Sequence, residues 1–151
     1  MISIQIEYRI QMNPNDKKRT SVLMVDDDSD FLAIAKQCLN LQGGLVIETA
    51  LSSKQATEMI EKKRPDVIVC DIQMPETNGF EFLKKLRDNG DNIPFIVFTM
   101  TGKKDLALEA FKLGADGFIG KHGDPSVVFS NLLKCIEKVL KNSMPKKVTT
   151  I

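Results

Sequence analysis

From Thr20 onward the chain alternates short β-branched runs with longer segments whose apolar residues recur at helical spacing. The runs Val22–Val25, Leu45–Thr49, Asp66–Cys70, Phe95–Phe98 and Asp116–Gly120 read as strands. A helix is expected between the first two, from about Asp30 to Leu41, with Phe31, Ile34, Ala35, Cys38 and Leu39 at helical spacing, ended by Gly43-Gly44. Ser52 or Ser53 caps a second helix carrying Ala56, Met59 and Ile60, which stops before Pro65. The third starts near Gly79 and carries Phe80, Phe82, Leu83 and Leu86. The fourth runs from about Lys103 to Leu113 and is closed by Gly114. The fifth, about Pro125 to Leu140, has proline in its first turn and buries Val128, Phe129, Leu132, Ile136 and Val139. Strand–helix units in series predict an α/β fold: a single doubly wound (βα)5 domain whose five parallel strands lie in the order 2-1-3-4-5, with right-handed crossovers and helices on both faces.

The expected domain is 20–141. Residues 1–19 form an N-terminal arm and linker, and 142–151 a solvated tail. In the arm, Ile2, Ile4, Ile6, Tyr8 and Ile10 alternate with polar residues, the signature of an extra strand that would pair with the sheet edge or a second protomer. A disordered extension, or translation starting at Met12, explains the same stretch equally well.

Composition changes this picture little. At 151 residues, 42% hydrophobic and 27% charged, the chain has the length of one globular domain. Its longest apolar runs fall well short of a membrane span, and Gln5, Glu7 and Arg9 break up the start as a signal peptide, so a cytoplasmic location is expected. Cys38, Cys70 and Cys135 read as reduced core thiols. A formal net charge of +1 gives no reason to expect nucleic acid or an anionic membrane as partner.

Four of the strands run into polar residues of different kinds: Asp26-Asp27-Asp28, Asp71, Thr99 and Lys121. In a parallel sheet these groups gather at the carboxyl edge, where open α/β sheets bind ligands. With strands one and three adjacent, the acidic run and Asp71 flank one cleft. Clustered carboxylates call for a cation, and all-oxygen ligands favour Mg²⁺, which also contacts phosphate. Asp71, alone at the end of an apolar strand, suits a carboxylate nucleophile that forms an aspartyl phosphate. Thr99 can donate to a phosphoryl oxygen and Lys121 can meet its charge.

These residues resemble the receiver domain of two-component response regulators, of the chemotaxis-regulator type. The resemblance spans roughly Thr20 to Leu140 and rests on Val25-Asp26-Asp27, Cys70-Asp71-Ile72-Gln73-Met74-Pro75, Gly79, Thr99, Gly114-Ala115-Asp116, and Phe118 three residues before Lys121. It implies that Asp71 accepts a phosphoryl group from the phosphohistidine of a histidine kinase or phosphotransfer protein. It further implies that Asp26, Asp27, Asp71 and the backbone carbonyl of Gln73 hold Mg²⁺, for which Mn²⁺ can substitute. Thr99 and Lys121 would bind the phosphoryl oxygens and Phe118 would be the switch aromatic. Gln73 and Thr101, with Met100, would modulate dephosphorylation. The output would be a changed face of helix four, strand five and helix five. Such a domain is a regulatory phosphoacceptor and not a turnover enzyme.

The chain departs from the family pattern at two places. Met100 follows Thr99 where a small residue is usual; it either shields the phosphoryl group or packs on the loop. His122-Gly123-Asp124-Pro125 replaces the usual Lys-Pro, lengthening the loop before helix five. His122, the one histidine, reads as a solvated loop residue, and Asp28 as the cap of helix one. Asp30 and Asp116 read as surface or turn residues.

Other functions fit less well. A haloacid-dehalogenase-type phosphohydrolase wants a second aspartate where Gln73 stands, and a nucleotide-binding domain would not place three aspartates at its phosphate turn. The remaining rival is a pseudo-receiver, the same fold used as a phosphorylation-independent interaction module. With no room for an output domain after helix five, direct DNA binding is not expected. A stand-alone regulator, a phosphate shuttle, a piece of a longer sensor and a homodimer all remain open.

Overall fold

The computed structural model describes residues 19–143. The N-terminal arm expected at 1–19, apart from Arg19, and the tail from Met144 lie outside the described residues.

Ten elements alternate as anticipated. The strands are β1 (Thr20–Val25), β2 (Leu45–Ala50), β3 (Val67–Cys70), β4 (Phe95–Thr99) and β5 (Gly117–Gly120). The helices are α1 (Ser29–Asn40), α2 (Ser53–Lys62), α3 (Gly79–Asp88), α4 (Lys104–Lys112) and α5 (Pro125–Ser143). All strand pairs are parallel and the sheet order is β2-β1-β3-β4-β5. Side chains alternate across a strand, so each strand feeds both faces. Leu23, Val25, Ile68, Cys70, Phe95 and Val97 meet apolar residues of α2, α3 and α4. Val22, Met24, Val67, Val69, Ile96 and Phe98 meet Leu32, Ala35 and Leu39 of α1 and Val128, Phe129, Leu132, Ile136 and Val139 of α5. The central strands β3 and β4 are buried on both faces and therefore carry no polar residue before Thr99.

The details correct the sequence reading in places. On α1 the buried stripe is Leu32, Ala35 and Leu39; Phe31 and Cys38 are half-buried against the same core, and Ile34 is exposed. Phe31 reaches across to α5, its ring stacked on Phe129 at 6.1 Å between centroids. Asp66 and Asp116 are not the first residues of their strands. Each turns its carboxylate to a neighbouring strand: Asp66 accepts from the Ser21 N–H at 2.8 Å and Asp116 from the Phe95 N–H at 2.9 Å. Cap positions follow side-chain chemistry: Asp28 accepts from the Phe31 N–H, Ser52 (not Ser53) from Gln55, and Asn78 from Glu81.

Candidate functional site

The parallel register carries the ladder one step past the strand ends, and that step places the site. Val25 is level with Cys70, and beyond them the Asp26 N–H donates to Ala50 O and the Asp71 N–H to Val25 O. Thr99 is level with Gly120, and the Lys121 N–H donates to Thr99 O at 2.8 Å. Asp26, Asp71, Thr99 and Lys121 are thus fixed to one edge by backbone bonds. Helix α3 begins close behind: a Cβ on Gly79 would lie 2.2 Å from the Asp71 carbonyl oxygen, so only glycine lets α3 start there.

Oxygen atoms of Asp26, Asp27 and Asp71 lie within 4.8 Å of one another. Asp26 and Asp71 are buried and Asp27 faces solvent. The Lys121 ammonium, on a side chain only 5% exposed, donates to Asp26 Oδ2 and, at 3.1 Å, to Asp71 Oδ2. It sits 4.5 Å from the centre of the Phe31 ring and 5.6 Å from that of Phe98, so two aromatic faces hold the cation from the apolar side. The other oxygens accept from backbone: Asp26 Oδ1 from the Asp28 N–H at 2.9 Å, Asp71 Oδ1 from the Gln73 N–H at 3.2 Å. Burial pushes the Asp26 carboxyl above its ordinary value, more than the Lys121 and Asp28 hydrogen bonds pull it down. Burial, reinforced by the Asp71 and Asp26 charges, pushes the Cys70 thiol well up; it donates to the Asp71 carbonyl at 3.2 Å and stays an unreactive core group.

Thr99 is fully buried, and its Oγ1 is the one buried side-chain N or O among the described residues without a hydrogen-bond partner. Such an orphan hydroxyl costs stability unless something arrives to accept from it. An oxygen-only donor set beside a buried ammonium and an unpartnered hydroxyl fits a hard cation together with an oxyanion.

The remaining sequence candidates lie around this centre. Gln73 is exposed, and its Nε2 stands 3.5 Å from Thr101 Oγ1. Met100 is 59% exposed, so it stands out on the loop and is not packed down upon it. Phe118 is half-buried on β5, against the cluster that includes Leu106 and Leu113 of α4. Sequence reasoning missed the aromatic walls of Phe31 and Phe98, because nothing in their spacing says which cation they face.

Comparison with known proteins agrees with this geometry. The sequence model of the response regulator receiver domain matches residues 22–133. Chemotaxis protein CheY of Thermotoga maritima is 34% identical over 113 residues, covering 75% of this chain and 94% of that protein. A protein-glutamate methylesterase/protein-glutamine glutaminase of Treponema denticola is 32% identical over 79% of this chain but only 33% of its own length. The nitrate/nitrite response regulator NarL of Escherichia coli is 28% identical over 86% of this chain and 59% of its own. Among solved structures, the receiver domain of the Francisella response regulator 1452 superposes with a TM-score of 0.74 at 26% identity, over 83% of this chain and 99% of that one. Chemotaxis protein CheY4 of Vibrio cholerae gives 0.69 at 28% identity, over 78% and 98%. The chain belongs to the response regulator receiver domain family, whose members serve phosphorylation-based, two-component signalling.

Proposed function

We propose that this chain is a phosphorylation-dependent switch that takes a phosphoryl group onto Asp71 from the phosphohistidine of a histidine kinase or phosphotransfer protein. The observation that carries the reading is the convergence of the Asp26, Asp27 and Asp71 carboxylates with the Lys121 ammonium and the unpartnered Thr99 hydroxyl. A carboxylate oxygen of Asp71 attacks phosphorus in line with the N–P bond of the donor. That bond breaks and its electron pair returns to the departing imidazole. Lys121 is already beside the nucleophile and meets the charge on the phosphoryl oxygens, while Thr99 Oγ1 donates to one of them. Asp26, Asp27, Asp71 and the Gln73 carbonyl are the groups that would hold Mg²⁺, which when bound supplies further positive charge to those oxygens.

On the output side, Leu108 and Phe111 stand 53% and 50% exposed one turn apart on α4, beside β5 with Phe118. They favour a partner-binding face made by α4, β5 and α5. Gln73 and Thr101 would orient the water that hydrolyses the aspartyl phosphate. Substituting both by alanine changes its lifetime, and an unchanged decay rate removes them from that role. The functional unit is the segment 20–141.

Intact mass after incubation with acetyl phosphate and Mg²⁺ tests the central claim. One phosphoryl group is gained by the wild type, and none by Asp71→Asn or without metal. If the wild type gains none and also fails to bind beryllium fluoride with Mg²⁺, the chain is a pseudo-receiver.

A further inference from the structure

Two links join the end of β4 and the β4–α4 loop to the end of β5. One is the Lys121 N–H to Thr99 O bond. The other is the ring of His122. A Cβ built on Gly102 would lie 3.0 Å from its Cε1, and one on Gly120 would lie 2.9 Å from it. Neither glycine has a positive φ, so their backbones do not demand glycine. Their missing side chains leave a seat, and the imidazole fills it although its outer side is exposed. On its other flank His122 is followed by Gly123, turned at φ 115°, and by Asp124, the residue before α5. Asp124 Oδ1 accepts from the Ser126 N–H at 2.9 Å and hydroxyl at 2.8 Å, and its carbonyl accepts from the Val127 and Val128 N–H groups.

When Thr99 Oγ1 engages a phosphoryl oxygen, the loop from Thr99 to Gly102 is drawn with it. A ring in contact with both Gly102 and Gly120 cannot stay in place while one of them moves, because close-packed groups shift together. The next rotatable point along the chain is Gly123, and beyond it lies the α5 cap.

We propose that His122 is a positioning residue that carries movement of the β4–α4 loop on phosphorylation to the N-terminus of α5, by a route separate from Phe118. This rests on the phosphoryl-switch reading above. It is a property of this chain's own loop, where His122-Gly123-Asp124 stands between the lysine and Pro125.

Because His122 is the only histidine of the 151 residues, its imidazole resonances in this chain are unambiguous. Beryllium fluoride with Mg²⁺, a stand-in for the phosphoryl group, is titrated into wild type, His122→Ala and His122→Phe and followed by NMR. In the wild type the His122 Hε1 and Hδ2 resonances shift, together with the amides of Thr99, Gly102, Asp124 and Ser126. In His122→Ala the Thr99 and Gly102 shifts persist while those at Asp124 and Ser126 are lost. His122→Phe, which keeps a planar ring in the seat, restores them. Shifts at Asp124 and Ser126 that survive in His122→Ala overturn the proposal, as does a silent His122 beside a moving Thr99. Silence at Thr99 in the wild type brings down the phosphoryl-switch reading, and this inference with it.

Discussion

At the scale of single residues, the site is governed by what burial does to charge. Asp26 is the clearest case: desolvation raises its carboxyl above the ordinary 3.8 despite the Lys121 ammonium on its Oδ2. The folded state therefore binds this proton more tightly than the unfolded chain does. Asp26 thus favours folding below 3.8, and its contribution is lost as pH rises from there through the raised value. If Asp26 holds Mg²⁺ as proposed, the metal competes with this proton, and its affinity is expected to fall as pH drops through the raised value. Calorimetric titration of Mg²⁺ from pH 7 down to 4 checks this, and in Asp26→Asn the acid-side loss of affinity flattens. Gly79 is a steric counterpart. Its absent Cβ would stand 2.2 Å from the Asp71 carbonyl oxygen, against backbone that cannot swing aside. Gly79→Ala is expected to cost about 1–3 kcal/mol in chemical denaturation, as overpacking does. It should also slow phosphorylation, because the strand end carrying Asp71 must move.

At the scale of elements, the ends of helices and strands are tied by polar side chains that also set where the site lies. Arg87, near the end of α3, donates to the Gly114 carbonyl at 3.1 and 2.9 Å and to the Asp91 carbonyl at 2.8 Å, and pairs with Asp116 at 3.3 Å. Asp116 in turn holds the Phe95 N–H at the start of β4. One guanidinium thus joins α3, the turn after α4, and the entries to β4 and β5. Arg87→Ala leaves part-buried carbonyls without donors, and urea unfolding is expected to show a loss of about 1–3 kcal/mol. Asp71 lies at the opposite edge of the sheet, so its proposed phosphorylation by acetyl phosphate should survive in the fraction that stays folded. Abolished phosphorylation in folded protein would show the two edges to be coupled.

At the scale of the whole molecule, two apolar layers sandwich one sheet, and every buried hydrophobic residue among those described lies between Val22 and Val139. The proposed Mg²⁺ site needs the folded arrangement of Asp26, Asp27 and Asp71, so Mg²⁺ is expected to raise the melting temperature by ordinary ligand linkage. That rise should shrink in Asp26→Asn and should no longer fall away as pH drops.

The element order and the sheet order were legible in the sequence, because strand and helix periods alternate cleanly and a doubly wound sheet has few ways to arrange its strands. Asp26, Asp71, Thr99 and Lys121 could be singled out for the same reason. Each interrupts an apolar run at its carboxyl end, and parallel pairing brings such ends to one edge. What the sequence could not decide is anything set by the distance between segments remote in the chain. The Lys121 ammonium between two carboxylates and over Phe31 and Phe98, the orphaned Thr99 hydroxyl, and the exposure of Ile34 are of this kind. So are the carboxylates of Asp66 and Asp116 turned onto neighbouring strands, and the His122 ring seated on Gly102 and Gly120. Periodicity dictates which face a residue joins; only the packed fold dictates which atom it meets there, because a contact depends on the separation of two chains and a pattern describes one.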